Sequence, residues 1–263
     1  MTRIGKTFRS LRQKQRNALI PYITPEFPLK GTTVPLILAL EEAGADIIEL
    51  GVPFSDPIAD GPTIQRSSQV ALENGVTLKR LIGFVERVRH SSNVPIILMG
   101  YYNSFLHYGL SRFFADASAV GVDGVIIPDL PPEEAGRLRE EAKHNSVGVT
   151  FLIAPTTPTD RIRRIDRLST DFTYCVSVTG VTGARQSLGK KQELHAFLEK
   201  VDSNTEKPFV VGFGISSREQ VRDVCRYADG AVVGSALIRS IENSTSVSQT
   251  VRAATRFFRS LKD

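Results

Sequence analysis

Cysteine is scarce in this chain of 263 residues: there are two, Cys175 and Cys225, far apart and without C-x-x-C spacing. That count leaves no basis for a disulfide framework or a thiolate metal site. The four histidines, His90, His107, His144 and His195, show no metal-ligand pattern either, so neither a disulfide nor a metal is expected. Long apolar runs are also missing. With no stretch of ~18 apolar residues, no membrane-spanning segment is expected, and residues 1–5 lack the apolar core of an export signal. The expectation is a soluble, cytoplasmic protein.

What is present is ordinary globular composition, 41% hydrophobic and 23% charged. The length suits one sizeable core, because a single α/β barrel needs roughly 250 residues. The net charge is +5, but the basic residues gather in 161–167 and 7–16, where apolar residues interleave at helical spacing. These segments read as solvated faces of amphipathic helices. No recognition motif or aromatic stacking set accompanies the charge, so a nucleic-acid partner is not expected. A basic field still favours an anionic substrate.

Short apolar runs recur along the chain with helical segments between them, the pattern of parallel strands buried on both faces. Strands are predicted at 18–23, 46–52, 94–101, 124–129, 148–155, 172–177, 207–214 and 230–238. Helix starts are marked by Thr32 and Thr33, by Pro131 to Glu134, and by the Ser216 to Glu219 capping-box spacing. Extra helices are predicted at 2–16, before the first strand, and at 62–74, after the second. Eight strands alternating with helices predict an α/β fold of the (β/α)8 TIM barrel type, a single domain over 1–263 with an extra N-terminal helix. A doubly wound open sheet would have fewer strands at this length. Chemistry is then expected at the C-terminal ends of the strands.

Glu49 interrupts the otherwise apolar second strand. A carboxylate there is desolvated and its pKa raised, as a general acid near neutral pH requires. The alternative, equally compatible with the pattern, is a structural carboxylate paired with a cation on a neighbouring strand. Asp60 lies in the Pro-, Gly- and Ser-rich loop that follows and is either a second functional carboxylate or part of a turn before a helix start; Asp56 before Pro57 also has the look of a turn residue. Gly212-Phe213-Gly214-Ile215-Ser216 is read as the loop after the seventh strand and Gly234-Ser235-Ala236 as the loop after the eighth. Loops at these places often cradle a phosphate, though glycine can equally relieve crowding there. The pair of glycines is no dinucleotide fingerprint, since a third glycine and a downstream acid are missing. Residues 178–190 form a long Gly/Thr-rich segment expected to act as a lid. Tyr174 either points to substrate or packs, and Asp129 is expected to cap a helix ahead of Pro131.

The stretch ELGVPFSDPIADGPTIQ at 49–65 closely resembles the signature of tryptophan synthase α subunits. Pro128-Asp129-Leu130-Pro131, Gly180-Val181-Thr182-Gly183-Ala184, Gly212-Phe213-Gly214-Ile215 and Gly234-Ser235-Ala236 extend the resemblance over essentially the whole chain. It implies that Glu49 and Asp60 are the catalytic pair. It further implies that Tyr174 and Thr182 hold Asp60 and substrate, and that Gly183, Phe213, Gly214, Gly234 and Ser235 form the phosphate side of the site. The indole ring would lie among Tyr22, Met99, Ile126 and Ile153. Tyr22 stands where many relatives have phenylalanine, and Met99 where leucine is common.

The implied reaction is retro-aldol cleavage of indole-3-glycerol phosphate to indole and glyceraldehyde 3-phosphate. No cofactor is implied in this chain. The implied partner is a pyridoxal phosphate-dependent β subunit in an α2β2 heterotetramer, docked on the loop bearing Pro53, Phe54, Asp56, Pro57 and Ile58. Three other readings stay open at this point: a sugar-phosphate isomerase on a similar barrel, a free-standing lyase, and an activator subunit without catalysis.

Overall fold

The structure, a computed structural model, describes residues 1–176, 184–212 and 214–262, with the backbone alone over 184–190. Among the described residues nine strands are formed: β1 (Ala18–Ile23), β2 (Ile48–Gly51), β3 (Ile96–Met99), β4 (Gly124–Ile126), β5 (Gly148–Thr150), β6 (Leu152–Ile153), β7 (Thr173–Val176), β8 (Phe209–Gly212) and β9 (Gly230–Val233). All paired neighbours are parallel, in the order β5-β4-β3-β2-β1-β9-β8-β7-β6. The two ends of that order, β5 and β6, are separated in the chain by Phe151 alone. They are two pieces of one stave, so the sheet wraps into the eight-stave barrel expected from the strand count, with helices in the crossovers.

Alternation along the strands sorts the side chains into two cores. Ile20, Ile97, Ile126, Tyr174, Val210 and Val232 pack inside the barrel. Leu19, Leu50, Leu98, Val125, Val211 and Val233 point outward into the layer under the helices. This period of two is what parallel strands buried on both faces require.

The N-terminal end of the barrel is closed. Helix Arg3–Gln13 is capped by Thr2, whose hydroxyl accepts from the Gly5 N–H, and it inserts Ile4, Phe8 and Leu11 into the interior cluster. Phe8 meets Phe172 with ring centroids 5.5 Å apart. Burying these three side chains contributes roughly 1.5–3 kcal/mol each as an upper estimate. The same end carries a repeated device: Asp46, Asp123 and Asp229, each just before a strand, accept from the N–H of Leu19, Ile96 and Phe209 on the neighbouring strands at 2.8–3.0 Å. Asp123 is also paired with Arg3 at 3.0 Å and Arg89 at 2.8 Å. These bonds hold the strand starts together and leave the opposite end of the barrel open.

Four expectations about elements need correction. The N-terminal helix stops at Gln13 rather than running to 16, because Gln15 takes a left-handed φ of 52° and Arg16 N–H turns back to Leu11 O. The last strand ends at Val233, and Ser235–Ile241 is a helix with Leu237 and Ile238 buried; a short apolar run fits either element until its neighbours decide. Residues 131–134 form a turn, and the helix begins at Gly136. The expected capping serine is displaced by one, since Ser217 rather than Ser216 accepts from the helix, at Gln220 N–H.

The basic segment 161–167 behaves as expected. Ile162 and Ile165 are buried while Arg161 and Arg164 pair with Glu133 and Arg163 with Asp160. Among the described residues no helix is long and apolar enough to cross a membrane.

Candidate active site

β2 is buried along its whole length, and Glu49 within it is 2% exposed. Its register partners are Tyr22 on β1 and Ile97 on β3. Among the described residues it has no cationic partner, and Glu49 Oε1 has no hydrogen bond. A structural ion pair is therefore not what keeps this carboxyl in the strand. Burial, with a further contribution from the charge of Asp60, pushes it up to about 8, so it holds its proton near neutral pH.

Asp60 reaches the same place from the loop after β2. That loop is folded on itself by bonds from Ile58 N to Asp56 O at 2.9 Å and from Asp60 N to Pro57 O at 3.0 Å. It ends at Gly61, the N-cap of helix Pro62–Glu73, with proline at the first helical position as predicted. The turn reading and the functional reading of Asp60 thus coexist, because its backbone shapes the loop while its side chain faces the cleft. Burial raises its carboxyl, and a hydrogen bond from Tyr101 Oη at 3.0 Å acts in the opposite direction. Tyr101, just beyond β3, was not singled out from sequence. The signal available was a tyrosine at the C-terminal end of a predicted barrel strand.

The cleft at the open end encloses about 420 Å³, open solvent included. Tyr22, Glu49, Asp60, Met99, Tyr174, Gly214, Gly234 and Ser235 line it, together with Ile64 and Val232, which sequence reasoning missed. The two carboxyls share this cleft with the glycine-rich loops after β8 and β9. Gly214 has φ +83°, a conformation side chains disfavour. Tyr174 and Tyr22 lean over glycines: a Cβ at Gly212 would sit 2.0 Å from Tyr174 Oη, and one at Gly51 2.2 Å from Tyr22 Oη. Burial raises both hydroxyls, with Glu49 and Asp60 adding to the effect, so both stay protonated and available as donors.

Several expected contacts fall elsewhere. Ile153 points outward into the helix-side core, and Leu152 faces the interior, because alternation continues through the stave and places 149, 151 and 153 on the outer face. Ile126 is inside the barrel in register with Met99, fully buried, and the described lining of the cleft does not include it. Thr182, Gly183 and Phe213 lie outside the described residues, as does the first part of the expected lid. The segment was expected to remain a loop to 190, but a helix, Ala184–Asp202, begins at Ala184, in a stretch rich in good helix formers. Asp129 caps a helix, but a different one: its Oδ1 accepts from Tyr102 N–H at 2.9 Å, at the start of Tyr102–Tyr108.

Of the loop residues expected at an interface, Pro53 is buried and Phe54 is half-buried against Tyr101, with ring centroids 5.2 Å apart. Asp56 is exposed, Pro57 is intermediate, and Ile58 is 88% exposed.

Comparison with known proteins adds to this geometry. The family model described as tryptophan synthase alpha chain matches residues 8–263. The tryptophan synthase alpha chain of Roseiflexus castenholzii is 52% identical over 255 residues, covering 97% of each chain. The crystal structure of tryptophan synthase subunit alpha from Legionella pneumophila superposes with a TM-score of 0.91 at 34% identity, covering 99% of this chain and 97% of that one. A chain from the tryptophan synthase α2β2 complex of Pyrococcus furiosus gives 0.85 at 40% identity, covering 93% and 97%. With a full-length match in sequence and in structure, and with the signature carboxylates facing one cleft, this chain belongs to the tryptophan synthase alpha chain family.

Proposed function

We propose that this chain, a lyase of tryptophan synthesis by its family, cleaves indole-3-glycerol phosphate into indole and glyceraldehyde 3-phosphate in the cytoplasm. The observation that carries the reading is that a buried, protonated Glu49 and the carboxyl of Asp60 line one cleft together with Gly214, Gly234 and Ser235. Glu49 delivers its proton to C3 of the indole ring, and the ring nitrogen becomes a positively charged N–H. Asp60 accepts a charge-assisted hydrogen bond from that N–H. The hydroxyl on the adjacent side-chain carbon then loses its proton to Glu49, now a carboxylate. The C3 to side-chain bond breaks, its electron pair returns to the ring, and an aldehyde is left on the glyceraldehyde phosphate. The backbone around Gly214, Gly234 and Ser235 holds the phosphate, where glycine lets N–H groups approach closely. Tyr22 and Met99 flank the ring. No cofactor of this chain enters the cleavage.

The partner is a β subunit that binds pyridoxal phosphate and consumes the indole, in an α2β2 assembly. Two observations support it: the solved Pyrococcus furiosus relative is part of such a complex, and Ile58 is 88% exposed beside Asp60. An isoleucine so exposed in a loop otherwise folded on itself is apolar surface that a partner can cover. The test is indole release from indole-3-glycerol phosphate, measured with and without a β subunit. Release by the chain is expected; none under either condition would overturn the reading.

A further inference from the structure

We infer that Tyr101 is a positioning residue that holds Asp60 in its working place, fastening the loop 54–60 to the end of β3 through its hydroxyl and its ring. The inference rests on the lyase reading only for its kinetic consequence. Three observations meet on this side chain, which is 5% exposed. Its hydroxyl donates to Asp60 Oδ2 at 3.0 Å. The same oxygen accepts from the Ala59 N–H at 2.9 Å. Its ring stacks on Phe54 with centroids 5.2 Å apart and planes inclined by 23°. Both ends of the loop are thus tied to one residue of a neighbouring stave.

The arrangement also sets the polarity of the hydroxyl. Because its oxygen is occupied by the Ala59 N–H, its proton is directed to the carboxylate. Among the described residues no other side chain donates to the Asp60 carboxylate. Among the described residues the titratable groups that face Asp60 are Tyr22 on β1, Glu49 on β2, Tyr174 on β7 and Tyr101 itself, with no cation in the set. In that surrounding one hydrogen bond matters: it opposes the effect of burial and favours the ionised form that accepts the indole N–H, and it fixes the direction from which the carboxylate approaches.

Tyr101→Phe keeps the stacking ring and removes both hydrogen bonds. In a chain labelled with 13C at aspartate carboxyls, the Asp60 titration is expected to move upward in the variant. With β subunit present, kcat for indole release by Tyr101→Phe is expected to fall roughly tenfold to a hundredfold below wild type, the weight of one hydrogen bond to a charged group, with KM nearly unchanged and the acid limb of the pH profile moved upward. In an Asp60→Asn background the same Tyr101→Phe change should cost little more, since the charge it serves is gone. An unmoved Asp60 titration, or an equal loss in both backgrounds, would overturn the assignment. If the wild type released no indole, the lyase reading would fail, while the carboxyl titration would still decide the part played by Tyr101.

Discussion

Glu49 and Tyr22 are register partners on adjacent parallel strands, and both side chains face the open end of the barrel. The partner of the buried carboxyl is thus a protonated phenol, not a cation, which leaves Glu49 free to keep a proton that it can give away. Glu49→Gln preserves size and removes that proton. Cleavage is expected to fall by about 2 to 4 orders of magnitude, the usual weight of a positioned acid or base. Asp60→Asn should be severely impaired too. Single-turnover indole formation, with circular dichroism to show the fold intact, checks both; near wild-type rates in either variant would remove the role assigned to that residue.

The same carboxyl makes stability depend on pH. Its folded pKa, pushed up to about 8, lies above the unfolded value of 4.5, so the folded state binds the extra proton between those limits. Stability contributed by that proton is full below pH 4.5 and is lost as pH rises through about 8. Glu49→Gln has no proton to lose. Its advantage over wild type in denaturant unfolding should therefore grow from acid toward pH 8 and level off above it. A difference that did not change with pH would mean that Glu49 is not held protonated by the fold.

Gly234 faces the cleft, and a Cβ there would meet Tyr22 at ordinary van der Waals distance, 3.4 Å. Gly234→Asp should fold, and it would place a carboxylate on the wall assigned to the phosphate. Binding of glycerol phosphate analogues should weaken by about tenfold or more through charge repulsion, while indole alone binds nearly as before. Calorimetry with both ligands distinguishes this from a general collapse of the pocket, which would weaken both equally.

Much of this was legible from pattern because the pattern is periodic. Eight apolar runs at barrel spacing marked the staves, and β1 appears with the predicted bounds. Glu49 was visible as a charge in a buried strand, and Gly214 and Gly234 as glycines at strand ends. What was not legible depended on a single residue of phase or on a distant partner. Phe151, Leu152 and Ile153 are all apolar, so pattern leaves open which of Leu152 and Ile153 faces inward; the alternation that puts Val149 and Phe151 under the helices decides it. Residues 234–238 are apolar enough for strand or helix, and only packing of Leu237 and Ile238 against the outer layer settles the choice. Tyr101 acquires its meaning from Phe54, Ala59 and Asp60, some forty positions earlier, a juxtaposition made by the parallel pairing of β2 with β3 rather than by sequence neighbourhood.

The loop that carries Asp60 also carries the exposed Ile58, and this joins catalysis to the proposed partner. Tyr101 and the turn bonds hold the loop in the isolated chain, yet Ser55, Asp56, Ile58 and Ala59 remain at the surface. A partner that covers them restricts the loop further, and with it the carboxylate that must meet the ring N–H, so docking should raise the fraction of molecules in the productive geometry. The expected outcome is faster single-turnover cleavage with saturating β subunit than without it. Ile58→Asp should weaken the complex, because it buries a charge at the contact, and should abolish the acceleration at a fixed β concentration while leaving the basal rate of the isolated chain near wild type. Equal rates with and without β, despite a complex demonstrated by sedimentation, would refute the coupling and leave the lyase assignment standing.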